Sequence, residues 1–222
     1  MFPIRDTQPS NSRPIVTILI ILANVMVFIH EISLDPYSRN YFVAHYALVP
    51  AHFHARALLT SMFLHGGWMH IIGNMWFLWI FGDNVEDILG HAKYLIFYVL
   101  CGLAAGMTQV FFSIGSRLPM VGASGAIAGV MGAYLIKFPH SRIVTLVFIF
   151  IFFTTIEVPA VLMLLYWFFI QLVSGVETAG YSHLYQGGTA FFAHVGGFIA
   201  GMILVGLMGT RQKYMRRRDF NW

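Results

Sequence analysis

A serine hydroxyl framed by glycines stands at the head of an apolar run in Val121-Gly122-Ala123-Ser124-Gly125-Ala126, with Ile127 to Ile136 following directly. A hydroxyl is a poor nucleophile until a neighbouring base takes its proton. The base on offer is His194, in Ala193-His194-Val195-Gly196-Gly197-Phe198-Ile199-Ala200-Gly201. A neutral imidazole near its reference pKa of about 6.5 can accept that proton and then pass it to a leaving amine. Neither apolar run holds an Asp or Glu to orient the imidazole, so the expected unit is a Ser124–His194 dyad rather than a triad. Gly122 and Gly125 would let the backbone at Ala123 and Ser124 open its amides toward a developing oxyanion. A second donor set lies in His65-Gly66-Gly67-Trp68-Met69-His70-Ile71-Ile72-Gly73-Asn74, where His70 and Asn74 are four apart and share a helix face. Either alone reads as helix packing, because buried polar groups need partners anyway. Beside Ser124 and His194 they read as oxyanion donors, with His65 bracing the loop above His70.

These residues need elements to hold them, and the composition says what kind. The chain has 222 residues, is 58% hydrophobic and 10% charged, with a mean hydropathy of +0.73. A soluble domain of that size could not hide so much apolar surface, so its solvent is largely lipid. The expected fold is an all-α, polytopic bundle of six transmembrane helices. Their approximate ranges are 15–32, 58–81, 94–114, 122–137, 160–175 and 189–209. No small-x-small cleavage site follows the first run, so it reads as a retained helix rather than a signal peptide. Residues 1–14 read as a polar tail, 15–210 as the helical domain and 211–222 as a basic tail. Residues 33–57, rich in aromatics, read as a connector in the membrane interface. The apolar stretch 141–156, interrupted by Glu157 and Pro159, reads as a packed or re-entrant connector, with one long broken helix as the alternative.

The basic residues orient this layout. Arg5, Arg13, Lys93, Lys137, Arg142, Arg211, Lys213, Arg216, Arg217 and Arg218 fall on the side of the termini; Arg39, Arg56 and Arg117 fall on the other. That asymmetry predicts cytoplasmic termini, and a prokaryotic cell membrane is the expected location. At ~1.5 Å per residue, counting from Lys137, Asp83 and Arg211 puts Ser124, His70 and His194 about 20–25 Å above the cytoplasmic face. In a hydrocarbon core of ~30 Å all three therefore share the outer third. Gly125, Gly129 and Gly132 on one helix, and Gly197 and Gly201 on another, would let the two touch backbone to backbone.

At these residues the chain resembles the rhomboid family of intramembrane serine proteases. The resemblance rests on His65-Gly66-Gly67-Trp68-Met69-His70 with Asn74, on Gly122-Ala123-Ser124-Gly125, and on Ala193-His194 with Gly197 and Gly201, and spans about residues 14–210. It implies Ser124 as nucleophile, His194 as general base, His70 and Asn74 as oxyanion donors, and no cofactor. It also implies cleavage of transmembrane protein substrates near their outer ends. The family often places a Trp-Arg pair in the first loop and an aromatic one turn after the serine, against the catalytic histidine. Here no Trp occurs between 31 and 57, and the second place is Ala128.

Other chemistries find less support. His52 and His54 have metal-like spacing without a third ligand, no His-Glu-x-x-His occurs, and no aspartate lies mid-span, so neither a metal nor an aspartyl dyad is expected. A modest net charge of +4, concentrated at the ends, speaks for a membrane face rather than nucleic acid. A silent relative that escorts membrane helices is the competing reading, and the presence of both Ser124 and His194 weighs against it. A helical substrate would have to reach Ser124 sideways. The fifth span lacks a small-residue stripe in its outer half, and its Trp167 and Phe168 are candidate gate residues; the alternative is that they fill the core.

Overall fold

The computed structural model describes residues 2–149, 152–180 and 190–210. Six long helices dominate it: α1 (Ile15–Ser33), α4 (Trp68–Leu89), α5 (His91–Phe112), α6 (Ser124–Lys137), α7 (Ala160–Gly180) and α8 (Phe191–Leu207). Two shorter ones, α2 (Pro36–Tyr46) and α3 (Ala57–Thr60), fill the first connector. Strands β1 (Phe2–Asp6), β2 (Arg142–Ile149) and β3 (Phe152–Pro159) form one antiparallel sheet in the order β1-β2-β3. Helices α1, α5 and the first 18 residues of α7 are long and apolar enough to cross a membrane. Helix α6 is shorter, with 14 residues. At ~1.5 Å per residue it spans only about 21 Å of a ~30 Å core, so it starts at depth.

The core is organised around α6, which is buried along nearly its whole length between α8, α5 and α4. Its closest neighbour is α8. A Cβ at Gly197 would fall inside contact distance of the Gly125 carbonyl, and one at Gly201 inside contact of the Gly129 carbonyl. Only glycine permits two helix backbones to meet so closely, which is the seam expected from the two glycine stripes.

Four sequence expectations change. The second span does not begin at Leu58: the chain there forms α3 and a 3-10 turn at Ser61–Phe63, and α4 starts at Trp68 after the Gly66-Gly67 break. Helix α4 also runs past Asp83 to Leu89, because Glu86 and Asp87 have partners. Buried Glu86 accepts from the Val16 and Thr17 amides at 2.8 Å each, supplying the first turn of α1 with the cap that Pro14 cannot. Helix α7 continues through Gly180 into what reads in sequence as a glycine-rich loop, whose remaining residues 181–189 lie outside the described residues, as does the basic tail 211–222.

Residues 141–156 are neither a re-entrant connector nor a broken helix but most of a β-hairpin. Their β-branched and aromatic residues suit a pleated surface, and with period two Ile143 and Thr145 turn inward, both buried. The third correction joins the fourth, for the first residues of the polar tail pair with this hairpin as β1. Trp76 Nε1 donates to the Pro3 carbonyl at 2.6 Å, Asn84 Nδ2 to that of Gln8 at 3.1 Å, and Ser12 Oγ to Asp87 at 2.5 Å. Asp6 accepts from the Tyr134 hydroxyl at 2.5 Å, and burial pushes its carboxyl up to about 7. The terminus is thus a floor under α4 and α6.

The seam yields a paired prediction. Gly201→Ala drives a methyl into the Gly129 backbone and should lower the thermal unfolding midpoint in detergent by several degrees, with loss of Ser124 reactivity. Gly206→Ala, where nothing lies within 4 Å of the added Cβ, should change neither.

Candidate active site

Helices α4, α6 and α8 run parallel and begin at the same end of the bundle, so the N-terminal turns of all three converge. Ser124 is the first residue of α6, His70 the third of α4 and His194 the fourth of α8. The glycine seam brings the first and last together: Ser124 Oγ lies 2.8 Å from His194 Nε2. His194 is 7% exposed, so water competes little for this contact.

The other imidazole nitrogen decides the tautomer. Nδ1 lies 2.7 Å from Oε1 of Gln171 on α7. An amide oxygen can only accept, so Nδ1 carries the proton and donates it, which leaves the Nε2 lone pair to accept from the Ser124 hydroxyl. The expected two-residue dyad is therefore a three-residue chain, Ser124–His194–Gln171, with a neutral amide in the third place. The sequence pattern names no orienting group, but one signal was there: a glutamine in the middle of an apolar span is costly unless it has work or a partner.

His70 and Asn74 meet Ser124's own loop. A Cβ placed on Gly122 would sit 2.7 Å from His70 Nε2 and 3.5 Å from Asn74 Nδ2, and Gly122 has φ +124°, a conformation other residues rarely adopt. Both reasons require glycine there. The Gly122 amide donates to the Ser61 carbonyl at 2.9 Å, anchoring the turn. His70 Nδ1 accepts from the Gly66 amide at 3.3 Å, so its proton is on Nε2, the nitrogen facing Gly122. Asn74 is buried, and its Nδ2 has no partner among the described residues. Together with the amides of Ala123 and Ser124, in the first turn of α6 where helix amides lack carbonyl partners, these donors can converge on an oxyanion.

The residues expected to support the site take the following places. His65 is fully buried; its amide donates to Glu31 at 3.2 Å and its ring meets the His70 ring edge-on at 5.1 Å. Glu31 also pairs with Arg39 of α2 at 3.3 Å, which ties the first connector to the loop carrying His65. Gly125, Gly197 and Gly201 line the seam. At the head of α8 the Ala193 amide donates to Gln109 of α5 at 3.0 Å.

The candidate gate residues lie at the contact between α7 and α8. Trp167 and Phe168 are half-buried and turn toward α8, while the exposed aromatics of α7 are Tyr166 and Phe169. The Phe168 ring lies 4.8 Å from that of Phe198, and the Trp167 ring 5.5 Å from that of His194. An aromatic does face the histidine, but it comes from α7, while Ala128 is a buried contact inside the core. Helix α7 rests on α8, touches α6 and the hairpin less, and shares no extended seam with α4. Along α7 lies an apolar cavity of about 430 Å³, closed by Pro3 of β1, Phe77 of α4, Met131 of α6, and Thr145 and Val158 of the hairpin, with Trp167 on the α7 side.

Fold and site together define a polytopic membrane protein with a serine–histidine pair enclosed among its helices. The family model described as Rhomboid domain matches residues 52–211, well over half of the chain, and the chain belongs to the rhomboid family. It is 32% identical over 96 residues to Rhomboid protein 1, mitochondrial, of Saccharomyces cerevisiae, which covers 41% of this chain and 28% of that protein. It is 31% identical over 128 residues to the human Presenilin-associated rhomboid-like protein, mitochondrial, covering 56% and 33%. To RHOMBOID-like protein 6, mitochondrial, of Arabidopsis thaliana it is 36% identical over 78 residues, covering 35% and 25%. The matched stretch is thus a third or less of each relative's length.

The unpartnered amide of Asn74 generates a prediction. Losing one oxyanion donor costs about 10²–10³ in rate, and His70 and the α6 amides remain. Asn74→Ala should therefore slow phosphonylation of Ser124 by a fluorophosphonate at most about 10²-fold without abolishing it, measured as a labelling time course. An unchanged rate would return Asn74 to helix packing.

Proposed function

We propose that the chain is an intramembrane serine endopeptidase that cleaves transmembrane protein segments near the outer membrane face. The observation that carries this reading is the 2.8 Å contact between Ser124 Oγ and His194 Nε2 inside the bundle. Ser124 attacks the scissile carbonyl as its proton passes to His194, and the tetrahedral oxyanion is held by His70, Asn74 and the amides of Ala123 and Ser124. His194 then protonates the leaving amine, and water repeats the sequence on the acyl-enzyme. No cofactor takes part. The partners are the substrate helices and the bilayer.

Domain limits of 1–14, 15–210 and 211–222 are kept, with the first segment docked rather than free. The termini are assigned to the cytoplasmic side, or its topological equivalent, on the asymmetry of basic residues. The relatives are named as mitochondrial proteins, and nothing in their names supports the narrower expectation of a prokaryotic cell membrane.

Two experiments bear on the reading. Wild-type protein in detergent should react with a fluorophosphonate and cleave a model transmembrane substrate, while Ser124→Ala and His194→Ala each abolish both and stay folded, because nucleophile and base act as a unit. Cleavage at near wild-type rate by His194→Ala would overturn the assignment; a folded wild type inert to both probes would favour the escort reading. The second concerns lateral access past α7. Phe168→Ala, which loosens the α7–α8 contact, should speed cleavage of the transmembrane substrate and give no gain on a small soluble ester. Trp167→Ala should slow both, since that ring lies against His194. Equal slowing of both substrates by Phe168→Ala would sink the gate.

A further inference from the structure

Glutamine at 171 raises a question the hydrolase reading leaves open. The base sits on α8, packed through glycine seams into the core, yet the group that orients it sits on α7, a helix that packs mainly against α8. Gln171 is 8% exposed although several of its neighbours on α7 face outward: Phe169, Ile170, Leu172 and Val173 are 62%, 38%, 39% and 39% exposed. The rotation of α7 about its axis thus turns Gln171 and Trp167 to His194 and leaves greasy side chains outside. Residues 167 and 171 are four apart, so ring and amide share one face and grip the imidazole from two directions.

We propose that Gln171 is a positioning residue which ties the orientation of the catalytic base to the closed position of α7. With α7 seated on α8, Nδ1–H donates to Gln171 Oε1 and Nε2 is held toward Ser124. When α7 moves aside for a substrate helix, that hydrogen bond breaks and the imidazole loses its fixed tautomer, so the serine is not activated until the helix returns. The site is thereby off while open to lipid and water, and on when closed around a substrate. This inference rests on the hydrolase reading and on lateral access past α7.

The test uses the full chain in detergent with a small soluble ester, which does not need the helix to open. Gln171→Leu keeps the volume and removes the acceptor, and should lower kcat about 10–100-fold, the scale of a lost orienting group, with KM within about twofold. Gln171→Glu should recover much of the rate. Its carboxylate favours the imidazolium, so the acid limb of the kcat/KM profile should move to higher pH. A residue that only fastened α7 would give neither the split nor the moved limb.

A cross-link separates the two roles further. A Cβ on Gly175 would lie 3.3 Å from that of Phe191, close to the ~3.5–4.5 Å of a disulfide. The native cysteine Cys101 is buried and does not compete. Oxidised Gly175→Cys/Phe191→Cys protein should keep its ester rate and lose transmembrane cleavage until reduced. Adding Gln171→Leu should impose the same loss of kcat in the locked protein as in the free one. Recovery of the ester rate on locking would show that Gln171 merely holds the helix and would overturn the proposal. So would a Gln171→Leu rate within twofold of wild type, or an unmoved acid limb in Gln171→Glu. An active wild type with indifferent Gln171 variants overturns this inference alone; an inert wild type overturns the hydrolase reading and this inference with it.

Discussion

Everything chemical in this protein depends on two helix backbones touching. Inside a bilayer there is no hydrophobic force to press one apolar helix on another, so association relies on close packing and on hydrogen bonds. Gly125 and Gly129 on α6 meet Gly197 and Gly201 on α8 with no side chain between them. That approach fixes the separation of the two axes, and the separation fixes how far Ser124 Oγ stands from His194 Nε2. One methyl in the seam would move the nucleophile from its base by more than a hydrogen bond tolerates. Cys101 and Ala105 on the flanking helix α5 also press against these glycines, so the seam is closed on a third side.

Around that seam several polar groups are paired across helices, as an apolar solvent favours. At the terminus side, Glu86 serves the first turn of α1 and also meets His91 at 2.6 Å. At the opposite end, Glu31 holds the His65 amide and Arg39. The same helix α1 is therefore pinned at both ends by buried carboxylates, one its own and one borrowed from α4. The amide of Asn74 is one of several buried polar groups without a hydrogen-bond partner among the described residues, the ring nitrogens of His65 among them, and its place is what distinguishes it. It is buried beside a glycine whose missing side chain leaves room for another atom. An unmet donor there has a cost in the resting protein that a developing negative charge can offset.

The side of the site formed by α7 is built on other terms. Its contacts with α8 are aromatic rings and one amide, which can slide or part, rather than interlocked backbone. The half that carries Ser124, His194, His70 and Asn74 is thus interlocked through glycine backbone, and it faces a half, carrying Gln171 and Trp167, that is held mainly by side chains. The floor formed by β1–β3 joins the halves, since β3 leads into α7, β1 is bonded to α4 and α6 through Trp76 and Tyr134, and Gln8 just beyond β1 is bonded to Asn84 of α4.

Much of the site was legible in the chain because it rests on local spacing. Ser124 among glycines, His70 four residues before Asn74, and glycines four apart on two apolar runs are properties of single helices, and a rise of ~1.5 Å per residue puts them at one depth without knowledge of neighbours. Lipid solvation follows from composition alone, since helices and closed barrels are the structures that cross a bilayer. What spacing cannot supply is the rotation of one helix against another, or the pairing of segments far apart in the chain. Whether Gln171 and Trp167 look at lipid or at His194 depends on how α7 turns when it lands on α8. A stretch as uniformly apolar as 160–175 carries no strong face to announce that. Likewise the run 141–156 is apolar enough for a helix; it becomes a hairpin whose β2 edge pairs with residues 2–6, a partnership between segments more than 130 residues apart that only the assembled floor of the bundle decides.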